Sequence, residues 1–184
     1  MALHKPTSNI GEALSNTALP ATPRNLRAQV SELGGVKAVA AIAGRSASSV
    51  YRWLRGQNKP NPDAKGALDQ ASAALRASSA YRRAQLKSRR EKRFRAHGAK
   101  FRFKGVAGPK NDSPKTSVRP RDFRFDMSAE GVAEVLDAWL NGGDEPALDV
   151  LGDVIAGEYM DGEAEGWEFQ SITLLNFSYS EFSN

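Results

Sequence analysis

The chain has 184 residues, room for one or two small domains, with 26 Lys and Arg against 21 Asp and Glu and a formal net charge of +5. It has no cysteine, which excludes a disulfide framework and any thiolate metal site, and no apolar run of about 18 residues that would span a bilayer. The average hides a division: residues 1–124 hold all 26 basic residues beside 7 acids, a net of +19, and residues 125–184 hold 14 acids and no base, a net of −14. A basic front suits a polyphosphate partner and an acidic back is repelled by one, so the two parts should do different work. His4 and His97 are the only histidines and neither stands beside a carboxylate cluster. Both read as exposed, and no metal site, cofactor or Ser-His-Asp arrangement is expected.

Residues 1–22, rich in Ser, Thr, Asn and Pro, read as a flexible arm with a short helix around Ile10 to Leu14. They lack the charged-then-apolar layout of a secretory signal, so the expected location is cytoplasmic and nucleoid-associated, with no membrane partner. Helical periodicity begins near Arg24, with Leu26, Val30 and Leu33 on one face and Gly34-Gly35 as a stop.

The stretch VAAIAGRSASSVYRWLRGQNKP, from Val39 to Pro60, has the spacing of a helix-turn-helix. Counting from Val36, Ala40 falls where only a small side chain lets a second helix pass close by. Gly44 falls at the turn, where a positive φ costs least without a Cβ, and Ser46 is placed to cap the next helix. Val39, Ile42, Ala43, Val50, Trp53 and Leu54 form the apolar set between the helices. That leaves Ser46, Ala47, Ser48, Tyr51, Arg52 and Arg55 on the face such a motif lays into a DNA major groove. The plain alternative is an ordinary helical hairpin in a bundle, which the surrounding positive charge disfavours. GQNKPNPD (56–63) reads as a loop and Ala64 to Ser78 as a further helix, closing an all-α domain over residues 23–80.

Residues 81–98 read as a basic linker. Arg82, Arg83, Lys87, Arg89, Arg90, Lys92 and Arg93 are its candidate phosphate contacts, since each contact releases counterions. Tyr81, Phe94, Phe101 and Phe103 are interleaved with these charges and are candidates for stacking on unpaired bases. A solvated charged helix or a partly disordered tail is the plainer reading. Residues 99–184 then read as an acidic domain of order β-β-α-α-β. AKFRFKGVAG and RDFRFDM alternate like strands around the loop GPKNDSPKTSVRP, and two helices follow from Ser128 and from Pro146. A last strand lies in WEFQSITLLNFSYSEF. The whole chain is thus expected to be α+β.

This order of parts resembles the telomere terminal proteins of linear actinobacterial chromosomes and plasmids. The likeness runs from about Gly35 to Phe182 and is clearest in VAAIAGRSASSVYRWLRG, AKFRFKG, LGDVIAGEYMDG and GWEFQSITLLNFSYSEF. The resemblance implies a protein primer: telomeric DNA, including its single-stranded ends, is bound, and a side-chain hydroxyl accepts the first deoxynucleotide from a DNA polymerase. The protein stays on the 5′ end as a cap. The polymerase supplies metals and base, so the chain itself need not be an enzyme. In the family the acceptor is a threonine in the loop between the two strands, here residues 108–120. That loop carries an insertion and lacks the family's paired threonines. Thr116 is the first candidate, followed by Ser117 and Ser113; apart from the resemblance all three are ordinary loop hydroxyls. Lys110, Lys115, Arg119 and Arg121 surround them with positive charge suited to a triphosphate. The acidic domain is left to dock on the polymerase, on a telomere-binding partner protein, or on a second copy as a homodimer.

The main alternative is a helix-turn-helix transcriptional or plasmid-copy regulator that dimerises through its second domain. A recombinase or nuclease is disfavoured, because Asp112, Asp122 and Asp126 lie too close together in charged loops to build a two-metal site.

Overall fold

The computed structural model describes residues 7–19, 23–110, 118–160 and 164–179. In chain order the elements are α1 (Ile10–Ser15), α2 (Leu26–Glu32), α3 (Val36–Ile42), α4 (Ala47–Leu54), α5 (Pro62–Arg76), α6 (Ser79–Gln85), α7 (Ser88–His97), β1 (Ala99–Pro109), β2 (Arg119–Met127), α8 (Ala129–Gly142), α9 (Asp144–Val154), a π-helical turn (Ile155–Tyr159) and β3 (Trp167–Ser178). The protein is mixed α+β, as its sequence leads one to expect. It divides into two compact units, one of Leu19–Tyr81 and one of residues 82–184 together with those up to Ala18. Among the described residues no helix is long and apolar enough to cross a membrane.

The helical unit is built on Val30, Val39, Ala40, Val50, Trp53, Ala64 and Leu68, with Leu26, Leu33, Val36, Ala43 and Leu54 packed around them. Three of its helices start where a side chain satisfies a first-turn N–H group: Asn25 for α2, Ser46 for α4 and Asn61 for α5, the last followed by Pro at the first helical position. Gly44 turns the chain between α3 and α4 at φ 59°. A two-pronged Arg76–Glu32 ion pair (2.6 and 2.9 Å) ties the end of α5 to α2. Ile42, expected in the core, is 37 % exposed; as the last residue of α3 it lies beside the turn rather than under α4.

In the second unit β1 is the central strand of a three-stranded antiparallel sheet of order β2-β1-β3. Alternation sends Phe101, Phe103, Leu175 and Phe177 into the core, where they are at most 2 % exposed. They share it with Phe94 of α7, Val132, Val135, Leu136, Trp139 and Leu140 of α8, and Leu151 of α9. The register between β1 and β3 shifts twice, between Lys104 and Gly105 and between Val106 and Ala107, and a Cβ at Gly105 would stand 2.2 Å from the Ser171 carbonyl oxygen.

Three expectations about boundaries need correction. The arm over residues 1–22 is not free over its described part: Ile10 and Leu14 are buried, α1 packs on β3 and α9, and Leu175 N–H donates to the Thr7 carbonyl (2.7 Å). Residues 81–98 are not a linker. Leu86 and Phe94 are core residues, and α7 packs on α8. The acidic segment from 99 onward is likewise not a body of its own, since it shares its core with α1 and the basic α7. Charge along the chain divides at about residue 124, while packing divides at residue 81.

Candidate nucleic-acid interface

The outer face of α4 follows from its inner one. Val50 and Trp53 are locked into the core, and with 3.6 residues per turn this leaves Ser48, Tyr51, Arg52 and Arg55 exposed on the opposite side. Ser46 begins the helix, its Oγ accepting from Ser49 N–H at 3.3 Å, and Ala47 is half-buried beside it. Arg45 in the turn and Lys59 after α4 are exposed beside it, and Arg24, Arg27, Lys37 and Lys65 are exposed elsewhere in the same unit. Two exposed guanidiniums about one helical turn apart, preceded by a phenol and two hydroxyls, can bond phosphate oxygens and base edges.

The basic residues of α6 and α7 fall into two classes. Arg83, Lys87, Arg89 and Lys92 are exposed, and Arg89, Lys92, Arg93 and His97 line one shallow depression along α7. Arg93 is half-buried with its guanidinium 4.1 Å from the Tyr179 ring centre. Arg82 and Arg90 are different, and for them the expected phosphate role is corrected. Arg82 is 8 % exposed and donates to the carbonyls of Leu140 (3.2 Å) and Asn141 (3.1 Å), satisfying the last turn of α8. Arg90 is 5 % exposed and donates to Leu14 (2.6 Å), Ala13 (3.0 Å) and Phe177 (2.5 Å). Burial lowers its pKa, and a hydrogen bond to Tyr179 works the other way. Both cations act as internal clamps because orphan carbonyls at element ends need donors that solvent cannot supply there.

Base stacking is also corrected for three of the four interleaved aromatics, Tyr81 being half-buried. Phe94, Phe101 and Phe103 are at most 1 % exposed, so no base can reach them. The aromatic surface of this unit lies elsewhere: Tyr159, 43 % exposed on the π-helical turn, stacks on the half-buried Phe123 at 4.8 Å. The same turn carries Glu158 back to Ser128, whose N–H and hydroxyl it accepts at the start of α8.

A second cationic surface lies on the sheet. On the sheet face turned away from the core, β1 carries Lys100, Arg102 and Lys104, and β2 carries Arg124 among Asp122 and Asp126. The alternation in AKFRFKG is what sets these cations on the face opposite the aromatics. Arg102 forms an ion pair with Asp122 (3.1 Å) and holds that carboxyl below its ordinary pKa. Arg121 lies with its guanidinium 4.8 Å from the Trp167 ring centre and donates to the Ala107 carbonyl (3.1 Å); burial lowers its pKa, reinforced by Arg119. On α8, Asp137 takes a two-pronged bond from Arg95 of α7 (3.0 and 2.6 Å), and the guanidinium lowers its pKa.

Thr116, Ser117 and Ser113 lie outside the described residues. The strand ends that bracket them are described: Lys110 is exposed after β1, its N–H donating to the Gly166 carbonyl (2.8 Å), and Arg119 is exposed at the start of β2. Among the described residues no group of three or more His, Asp or Glu side chains is gathered as for a metal ion. Comparison with family models, curated proteins and solved structures finds no match to this chain.

Proposed function

We propose that this chain binds duplex DNA through α4 and serves as a terminal protein on the ends of a linear chromosome or plasmid. The observation that carries the reading is the outward face of α4, where Ser48, Tyr51, Arg52 and Arg55 are exposed on a short helix packed behind a glycine turn. The exposed cations of α7 and of the sheet supply further phosphate contacts that hold DNA without reading its sequence. The primer role rests on the resemblance in sequence and on the connection between β1 and β2, whose hydroxyls are flanked by Lys110 and Arg119.

In the proposed reaction the Thr116 Oγ attacks the α-phosphorus of a deoxynucleoside triphosphate. One phosphodiester forms, pyrophosphate leaves, and the hydroxyl proton passes to a base of the partner DNA polymerase, which also supplies the divalent metals. The chain contributes a positioned oxygen and its hold on the DNA end. A telomere-binding partner and the single-stranded end complete the proposed assembly.

The test has two arms on the full chain. Arg52→Ala with Arg55→Ala should weaken duplex binding by about 1–3 kcal/mol for each base edge these side chains read, and lower the salt slope by about 0.9 for each phosphate they neutralise. With polymerase, template, divalent metal and labelled deoxynucleotide, the protein should acquire label stable to boiling in detergent. Thr116→Val should abolish that label and Thr116→Ser retain part of it, both binding DNA as the wild type does. Loss of label in Ser117→Ala or Ser113→Ala instead moves the acceptor within the loop. Full labelling without any of the three hydroxyls, or none in the wild type, refutes the primer role. Repression of a promoter in that case identifies a regulator.

A further inference from the structure

The sheet ends on β2, which pairs with β1 on one side and, among the described residues, with no strand on the other. The direction of its backbone groups follows from the far side of the sheet. Leu175 N–H donates to Thr7, away from β1, so Leu175 and Phe103 form one of the non-hydrogen-bonded pairs of an antiparallel ladder. Phe103 therefore turns its N–H and C=O to β2, where its partner is Phe123. By alternation Asp122, Arg124 and Asp126 turn theirs to the free edge. Pro120, in the same phase, has no N–H and deprives the β1 ladder of nothing.

The strand RPRDFRFDM is charge-complementary to itself about its midpoint, Phe123. Antiparallel pairing with Phe123 on a two-fold axis sets Asp122 opposite Arg124 of a second copy, and Arg124 opposite Asp122. The neighbouring registers of the same phase centre on Asp122 or Arg124 and oppose like charges, which is destabilising; a further shift toward either end leaves about half the strand paired or less. Arg124 is suited to an outside partner. It is exposed, makes no ion pair among the described residues, and lies opposite Arg102, which bonds Asp122 instead. Phe123 and Phe125 are only half-buried although Phe101, Phe103 and Tyr159 surround them.

We propose that β2 is the self-association edge of this protein, two copies pairing antiparallel about Phe123 into one continuous six-stranded sheet. The pairing forms about six main-chain hydrogen bonds: four between residues 122 and 124, and two from Asp126 N–H to the Pro120 carbonyl. It joins two Asp–Arg pairs and covers the Phe123 rings. The edge is thereby closed, which a long unpaired strand otherwise leaves open to unspecific pairing.

Light scattering after size exclusion of the full chain at about 100 μM should give twice the 19.9 kDa chain mass. Arg124→Asp sets Asp opposite Asp122 of the second copy, and Asp122→Arg sets Arg opposite Arg124, so each variant alone should run as a monomer with an unchanged far-UV spectrum. An equimolar mixture of the two should recover the dimer, because every facing pair is then opposite in charge. The chain has no cysteine of its own, so Phe123→Cys should form an intermolecular disulfide on mild oxidation, its two Cα atoms about 4.5 Å apart. Lys104→Cys, on the neighbouring strand, should not. A monomeric wild type, an Arg124→Asp variant that dimerises as the wild type does, or a mixture that stays monomeric overturns the proposal.

Discussion

Replacing Arg90 by Met separates the two kinds of cation that the run SRREKRFR mixes. Methionine retains an unbranched stem to pack against Phe94, whose ring centre lies 4.5 Å from the guanidinium carbon, and removes only the donors. Three carbonyls then lose their partner: Ala13 and Leu14 at the end of α1, and Phe177 in β3. A buried acceptor left unsatisfied costs about 1–3 kcal/mol, and relief from burying the charge offsets part of that. At about 1 kcal/mol net per carbonyl the loss is about 3 kcal/mol, a large share of the ~5–15 kcal/mol that holds a domain folded. In thermal unfolding followed by tryptophan fluorescence, with Trp139 and Trp167 reporting from this unit, the midpoint should fall by about 10 °C. The neighbouring Arg89→Met is the control. Its side chain is exposed, so stability should stay within about 0.5 kcal/mol, while the salt slope of DNA binding should drop by about 0.9 if Arg89 meets a phosphate. If Arg90→Met is as stable as the wild type and loses DNA affinity as Arg89→Met does, Arg90 touches DNA and its assignment as a clamp is wrong.

Gly98 ends α7 at φ 70°, and a Cβ there would stand 2.2 Å from the Met127 carbonyl oxygen. Gly98→Ala should therefore destabilise the sheet unit by more than the ~1 kcal/mol of a left-handed backbone alone; an unchanged urea midpoint would contradict that close approach. Asp137 is held below its ordinary pKa by Arg95, so its contribution is present above the ordinary carboxylate range and is lost as pH falls through the lowered folded value. The pair is partly exposed, and Asp137→Asn should cost at most about 1 kcal/mol at neutral pH. The gap from the wild type should close in acid, and urea titrations that show a constant gap across pH would remove this electrostatic account.

Local features of this protein are legible in the chain wherever the physics is local. The capping residues Ser46 and Ser128, the glycine turn at 44 and the 3.6-residue stripe of α8 depend on neighbours a few positions away, and each element stands close to where its pattern puts it. The two-residue alternation of AKFRFKG and RDFRFDM likewise marks both strands. What alternation cannot say is which side is covered. The aromatics of β1 looked available to a ligand, and only the packing of helices on the sheet makes them core and leaves Lys100, Arg102, Lys104 and Arg124 on the other face. The same holds for charge. In SRREKRFR the helical period sets Arg90, and not Arg89, on the face of Leu86 and Phe94, but it does not say what lies opposite the guanidinium. Here that is the end of α1, some 76 residues away in the chain. Nor could the opening segment be placed from composition, since Ile10 and Leu14 acquire their value only once β3 and α9 supply the apolar surface that covers them.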